Sequence, residues 1–109
     1  MKLTKETEQK IAELQLLEQN LQNFILQKQT FQAQFLEVDN ALNELNNSKE
    51  AYKIIGPIMV HSTTEELKKD LNSKKEILNL RIKNIEKQED KLKEKADSIQ
   101  SEVLKQIKK

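Results

Sequence analysis

Side chains that do chemistry are scarce in this sequence, and their spacing narrows the possibilities quickly. His61 is the only histidine and cysteine is absent from the 109 residues. Disulfides, thiolate nucleophiles and zinc sites that need several Cys and His ligands are therefore excluded. A single glycine, Gly56, rules out a Gly-rich phosphate loop, and no H-E-x-x-H pair exists. The 18 acidic residues are interspersed among 19 basic ones, which is the pattern of solvated helix faces rather than of a converging acid–base pair. No catalytic, cofactor or metal site follows, and the chain is not expected to be an enzyme. His61 reads as a partly exposed polar residue that terminates a strand.

The lysines are the remaining candidates. Lys91, Lys93 and Lys95, with the tail Lys105, Lys108 and Lys109, have the chemistry to meet phosphates, but Glu89, Asp90, Glu94 and Asp97 cancel much of their field. With a net charge of +1, the chain lacks the clearly basic stripe of a nucleic-acid binder. Lysines at the end also suit a helix C-terminus, where cations meet the negative end of the dipole. The opening MKLTKETEQK leads into no apolar h-region, and no apolar run approaches the roughly 20 residues of a membrane span. A soluble cytoplasmic protein without nucleic-acid or membrane partners is the expectation.

What these residues are mounted on is legible from periodicity. From Leu14 to Leu45 the chain carries a continuous 3-4 repeat: Leu14, Leu17, Leu21, Phe24, Lys28, Phe31, Phe35, Val38, Leu42 and Leu45. Such spacing keeps one seam facing a partner helix as the two supercoil. Leu14, Leu21, Lys28, Phe35 and Leu42 take the a positions. A second repeat has d at Leu71, Leu78, Ile85, Leu92 and Ile99, and a at Lys68, Lys75, Ile82, Glu89, Ala96 and Val103. Overlapping S/T-x-x-E capping boxes in Ser62-Thr63-Thr64-Glu65-Glu66 start this arm near Thr63 or Thr64. Asn46-Asn47-Ser48 ends the first, because Asn tolerates the left-handed conformation. The predicted arms, 5–48 and 64–107, are each 44 residues, roughly 66 Å of helix.

Equal arms about a central reversal predict an antiparallel hairpin, and the heptad phases agree. The a-to-d layers Leu14 with Ile99, Leu21 with Leu92, Phe35 with Leu78 and Leu42 with Leu71 have residue numbers that add to 113, as do Leu17 with Ala96 and Phe31 with Ile82. The midpoint is the bond between Gly56 and Pro57. Four layers are weak: Phe24 with Glu89, Lys28 with Ile85, Val38 with Lys75 and Leu45 with Lys68. Their charged residues are expected to select register at some cost in stability. Residues 1–50 carry a net −3 and 51–109 a net +4, which favours pairing of the two halves.

Between the arms lie about 15 residues, more than the 2–8 that a helix–helix connection ordinarily takes. Ala51 to Ile55 and Ile58 to His61 are rich in β-branched and aromatic residues and are separated by Gly56-Pro57, so 51–61 reads as a β-hairpin. The proline is expected to push Gly56 towards extended backbone. Both hairpin faces are apolar: Tyr52 and Ile54 point one way, Ile55 the other, and Ile58, Met59 and Val60 continue the run. An isolated two-stranded hairpin with open edges invites pairing. It is therefore read as an oligomerisation element in which several chains complete a shared sheet or barrel. The rival is an apolar cap folded over the end of one coiled coil.

In "AYKIIGPIMV" at 51–60 and "ILQKQTFQAQFLEVDNALNEL" at 25–45 the sequence resembles the prefoldin family, specifically the β-type subunits of archaeal prefoldin and its eukaryotic homologues. Gln27-Lys28-Gln29, Glu37-Val38, Ala41-Leu42 and Glu44-Leu45 fit the family pattern, and the helix–hairpin–helix plan covers essentially residues 1–109 as a single domain. The resemblance implies a mostly α fold: a long antiparallel two-helix coiled coil whose central hairpins form a shared β-barrel in the oligomer. It implies a hetero-hexamer of two α-type and four β-type subunits. Such assemblies act without ATP as co-chaperones that hold unfolded client proteins and deliver them to a group II chaperonin. By carry-over, Tyr52, Ile54, Ile55, Gly56, Pro57, Ile58, Met59 and Val60 form the assembly hairpin.

In this family the client is gripped at the tips, where the chain ends lie together. Leu3 and Ile11 on the first arm and Val103, Leu104 and Ile107 on the second are the candidates here. Ile11, Leu104 and Ile107 fall off the seam, so they are not expected to be needed for pairing, and apolar side chains at fraying ends suit non-selective capture. The alternative function is a structural coiled-coil adaptor, with arms that bind partner helices and a centre that is only a reversal.

Overall fold

The computed structural model describes residues 4–48 and 50–107. It contains helix α1 (Lys5–Asn46), strands β1 (Ala51–Ile55) and β2 (Ile58–Ser62), and helix α2 (Thr64–Ile107). Each helix begins on a threonine cap. The Thr4 hydroxyl accepts from the Thr7 N–H at 3.1 Å, and the Thr63 hydroxyl accepts from the Glu66 N–H at 3.2 Å. Acidic residues fill both first turns, Glu6 and Glu8 in one and Glu65 and Glu66 in the other, where they meet the positive end of the dipole.

α1 stops at Asn46, two residues before the predicted end. The stop does not use a left-handed asparagine, because no described residue other than glycine has positive φ. Instead the last turn tightens: the Asn47 N–H donates to the Glu44 carbonyl at 3.2 Å and the Ser48 N–H to the Leu45 carbonyl at 3.3 Å. These three-residue bonds use up carbonyls that the helix end would otherwise leave unsatisfied.

The strands pair antiparallel, from Ala51 opposite Ser62 to Ile55 opposite Ile58. β2 thus runs one residue beyond His61. Every pair obeys the same sum of 113 that the heptads gave, so the turn and the seams share one axis of reversal. Gly56 has φ +58° rather than the extended backbone expected before proline. A two-residue hairpin loop needs a positive φ at its first central position, and Pro57 cannot supply one at the second, which leaves the type II′ turn. Its twist matches that of the strands, and this outweighs the general preference of a residue before proline.

Two compact units divide the chain, Met1–Gln29 with Asn84–Lys109 and Thr30–Lys83. Each takes a segment of both helices. In the first, Leu17, Ile99 and Val103 form a buried cluster against which Ile11, Leu14, Leu92 and Ala96 pack. In the second, Leu78 and Ala51 are buried, and the Phe31 and Phe35 rings carry the Arg81 guanidinium and the Lys75 ammonium at 5.7 and 5.3 Å. In both units residues rising along α1 meet residues falling along α2, the antiparallel order the phases require. All seam positions from Leu14 to Leu45 and from Lys68 to Val103 are buried or half-buried.

Candidate functional site

The weak layers are where the helices depart from a plain apolar seam. Glu89 is 3% exposed and lies in the layer of Phe24, while Lys28 lies in the layer of Ile85. The two charges reach one turn towards each other. The Lys28 ammonium donates to Glu89 Oε2 at 3.3 Å and lies 3.1 Å from Oε1, which is close enough for ion pairing but outside hydrogen-bonding alignment. Lys75 likewise leaves the layer of Val38 to donate to Asp39 at 2.7 Å. Read as separate layers, these residues look like isolated defects. For Lys28 and Glu89 the joining signal is opposite charge at seam positions one turn apart, and for Lys75 it is an acid next to its layer partner Val38.

The hairpin presents the first candidate surface. Tyr52, Ile54, Ile55, Ile58, Met59 and Val60 are between 42% and 69% exposed, whereas Ala51 is buried. Because directly paired residues share a face, Tyr52, Ile54, Met59 and His61 lie on one side and Lys53, Ile55, Ile58 and Val60 on the other. Tyr52 and His61 stack edge to face with ring centres 5.5 Å apart. Lys53 reaches α2 at Asp70, 3.8 Å away. A cap folded over its own coiled coil would bury one of these faces, and neither is buried. Gly56 has open space where a Cβ would stand, so the glycine serves backbone conformation and not close packing.

The second surface surrounds the helix ends of the other unit. Leu104 is 48% and Ile107 38% exposed, while Val103 is buried. Ile11 was expected to be dispensable for pairing, but it packs against the Leu17, Ile99 and Val103 cluster. Off-seam numbering did not capture the side-chain reach towards the neighbouring turn. Leu3 lies outside the described residues. A polar layer escaped the sequence reading: Thr7, 1% exposed, donates its hydroxyl to the Gln106 amide oxygen and lies 2.8 Å from the Thr4 hydroxyl. Extending the repeat by one heptad before Leu14 puts Thr7 at a, opposite Gln106 at d, so the signal was present.

Beside that layer Lys10 bonds Glu102 at 2.7 Å and approaches Glu6 at 3.6 Å. The hydrogen bond from Lys10 and its charge hold Glu102 below the usual carboxylate range, with Lys105 adding to the effect. Lys10 is raised, chiefly by the hydrogen bond to Glu102; desolvation, the next largest effect, opposes this, and the charges of Glu102 and Glu6 add to the rise. Among the described residues there is no group of three His, Cys, Asp or Glu side chains that could hold a metal ion, and no helix is long and apolar enough to cross a membrane.

The sequence matches the family model for "Prefoldin subunit" over residues 8–109. The chain belongs to the prefoldin family. Curated prefoldin beta subunits are similar along most of their length. That of Caldivirga maquilingensis is 36% identical over 93 residues, covering 83% of this chain and 77% of the relative. That of Archaeoglobus fulgidus is 38% identical over 88 residues, covering 78% and 76%. The crystal structure of the prefoldin beta subunit from Thermococcus strain KS-1 superposes with a TM-score of 0.89 at 28% identity, covering 94% of this chain and 92% of that one. The likeness is to the β type of prefoldin, a chaperone family, and it extends through the two helices and the single central hairpin.

Proposed function

We propose that this prefoldin chain assembles through its hairpin with other prefoldin subunits and holds non-native proteins at its helix ends without ATP, for delivery to a group II chaperonin. The observation that supports this best is the hairpin: six large apolar side chains stand exposed on both faces of a two-stranded sheet, a liability in a lone chain and an asset in an assembly. A cytoplasmic hetero-hexamer of two α-type and four β-type subunits, joined in a shared β-barrel, is the arrangement that family likeness favours. Leu104 and Ile107, exposed and not committed to the buried cluster, are the strongest client contacts among the described residues. Ile11 and Val103 contribute by shaping that end, and Leu3 completes the apolar set.

The test is light scattering of a chemically denatured client diluted into buffer with the chain, an α-type prefoldin subunit and no ATP. Scattering should fall strongly with the mixed assembly, and a Leu104→Ser, Ile107→Ser variant should lose most of that protection at unchanged native mass. Full client aggregation with the wild-type assembly overturns the reading. A chain that stays a discrete monomer or dimer, indifferent to Ile54→Lys and Ile58→Lys, is instead a coiled-coil adaptor.

A further inference from the structure

Val38 faces a lysine rather than an apolar side chain, and the way that layer is resolved opens a groove. Lys75 carries its ammonium to Asp39 at 2.7 Å and over the Phe35 ring at 5.3 Å. Asp39 follows the d residue Val38, so the lysine stem leaves the seam by the e flank. On the opposite flank, that of the g residues Lys74 and Arg81, a groove of about 420 Å³ lies over Val38 and Leu78 within the Thr30–Lys83 unit. Ile77 adds to its apolar lining from a c position and is 49% exposed. A two-helix seam needs only a and d, so an isoleucine at c widens the apolar stripe of α2 towards a third element. The charges at the rim are sorted by wall. Lys74 and Arg81 stand on the α2 side, two turns and about 10.5 Å apart, and Glu37 stands on the α1 side. Arg81 lies over the Phe31 ring at 5.7 Å, and none of the three has an ion-pair partner among the described residues.

We infer that this groove receives an amphipathic α-helix of a partner protein, laid along α1 and α2 as a third helix. The apolar stripe of the partner covers Val38, Ile77 and Leu78. Its flank towards α2 carries two acidic residues a heptad apart, which meet Lys74 and Arg81, and its flank towards α1 carries a lysine or arginine that meets Glu37. A helix suits the groove because both walls are helical and offer side chains, whereas an extended segment would find no free backbone groups to bond. The same charges set its direction. Turning the helix end for end exchanges its flanks and brings acid against Glu37 and base against Lys74 and Arg81. Such an occupant is a folded helix held on the arm, separate from the non-native proteins proposed for the helix ends and from the contacts of the hairpin.

The probe is a fluorescein-labelled three-heptad peptide with leucine at a and d, glutamate at g and lysine at e. It is titrated with the chain assembled with an α-type subunit and followed by anisotropy. Lys74→Glu together with Arg81→Glu should weaken binding about tenfold. Adding Glu37→Lys to that pair should restore it, because the peptide can then lie in the opposite direction. All three positions are exposed, and circular dichroism should show each variant as helical as the wild type. An excess of a reduced, carboxymethylated client, permanently unfolded, should not displace the peptide. Displacement by that client, affinity indifferent to the reversals, no recovery with Glu37→Lys, or no binding to the wild-type assembly overturns the groove, and each leaves the client reading standing. A native mass that falls on the reversals gives the groove to a second copy of the chain and overturns the partner helix.

Discussion

Glu89 keeps a carboxylate among apolar neighbours because Lys28 comes to it from the next layer. The two are not equally placed: the Glu89 side chain is almost wholly enclosed, while that of Lys28 keeps about a quarter of its surface. Removing the lysine strands a buried anion, whereas removing the glutamate leaves an ammonium whose flexible stem can carry it to water. Lys28→Leu is therefore expected to cost on the order of 3 kcal/mol, and Glu89→Leu distinctly less. The double Leu variant should return to wild-type stability or exceed it, since a buried pair rarely outperforms well-packed apolar side chains. Urea unfolding of the four proteins measures this, and additive single losses in the double variant would show that the pair does not act as a unit. The tolerance of such a costly layer fits a register device. Lys28–Glu89 together with Lys75–Asp39 is satisfied in one alignment, and a shift by one heptad in either direction separates at least one of these pairs.

At the scale of elements, the turn carries the most local information per residue. Gly56 sits at φ +58° with nothing near its missing Cβ, so the cost of a side chain there is backbone strain alone. Gly56→Ala should destabilise by about 1 kcal/mol, and Gly56→Asn by less, because Asn enters the left-handed region more readily. Thermal melts should rank Gly, Asn, Ala in that order, and an alanine variant as stable as wild type would mean that the turn relaxes to another type. The helices were legible because burial follows a 3-4 rhythm that any sequence reader can test against itself. The turn's handedness was not: the proline rule and the hairpin-twist rule conflict at Gly56, and only strand pairing decides between them. The end of α1 escaped for a related reason, since the Asn46-Asn47-Ser48 stretch offers several ways to stop and the tightened turn leaves no compositional mark.

For the molecule as a whole, the pairing that links the beginning of α1 to the end of α2 makes its unfolding sensitive to pH at both extremes. Glu102 is held below its usual range, so its contribution is full above about pH 4.3 and is lost as pH falls through the lowered value. Lys10 is raised, so its contribution is full below about pH 10.4 and is lost as pH climbs through the raised value. Thermal unfolding of wild type and Glu102→Gln should show a constant advantage at neutral pH that shrinks below about pH 4.3; an advantage that does not shrink at all as pH falls contradicts the assignment. The exposed hairpin was readable as an apolar run with breakers at its centre. The helix-end surface was only half readable, because the same apolar residue types serve there both to close the pair, as Ile11 and Val103 do, and to remain exposed, as Leu104 and Ile107 do. The shared sum of 113, which runs from Thr7 and Gln106 through the seams to Ile55 and Ile58, has a consequence for how such chains can change length. A seven-residue insertion in one helix keeps a against d but gives every layer on the far side of it a new partner, so lengthening that preserves the pairs comes as matched insertions at mirror positions about the Gly56–Pro57 bond, and a lineage with arms of a different length should differ by the same number of residues on both sides of its turn.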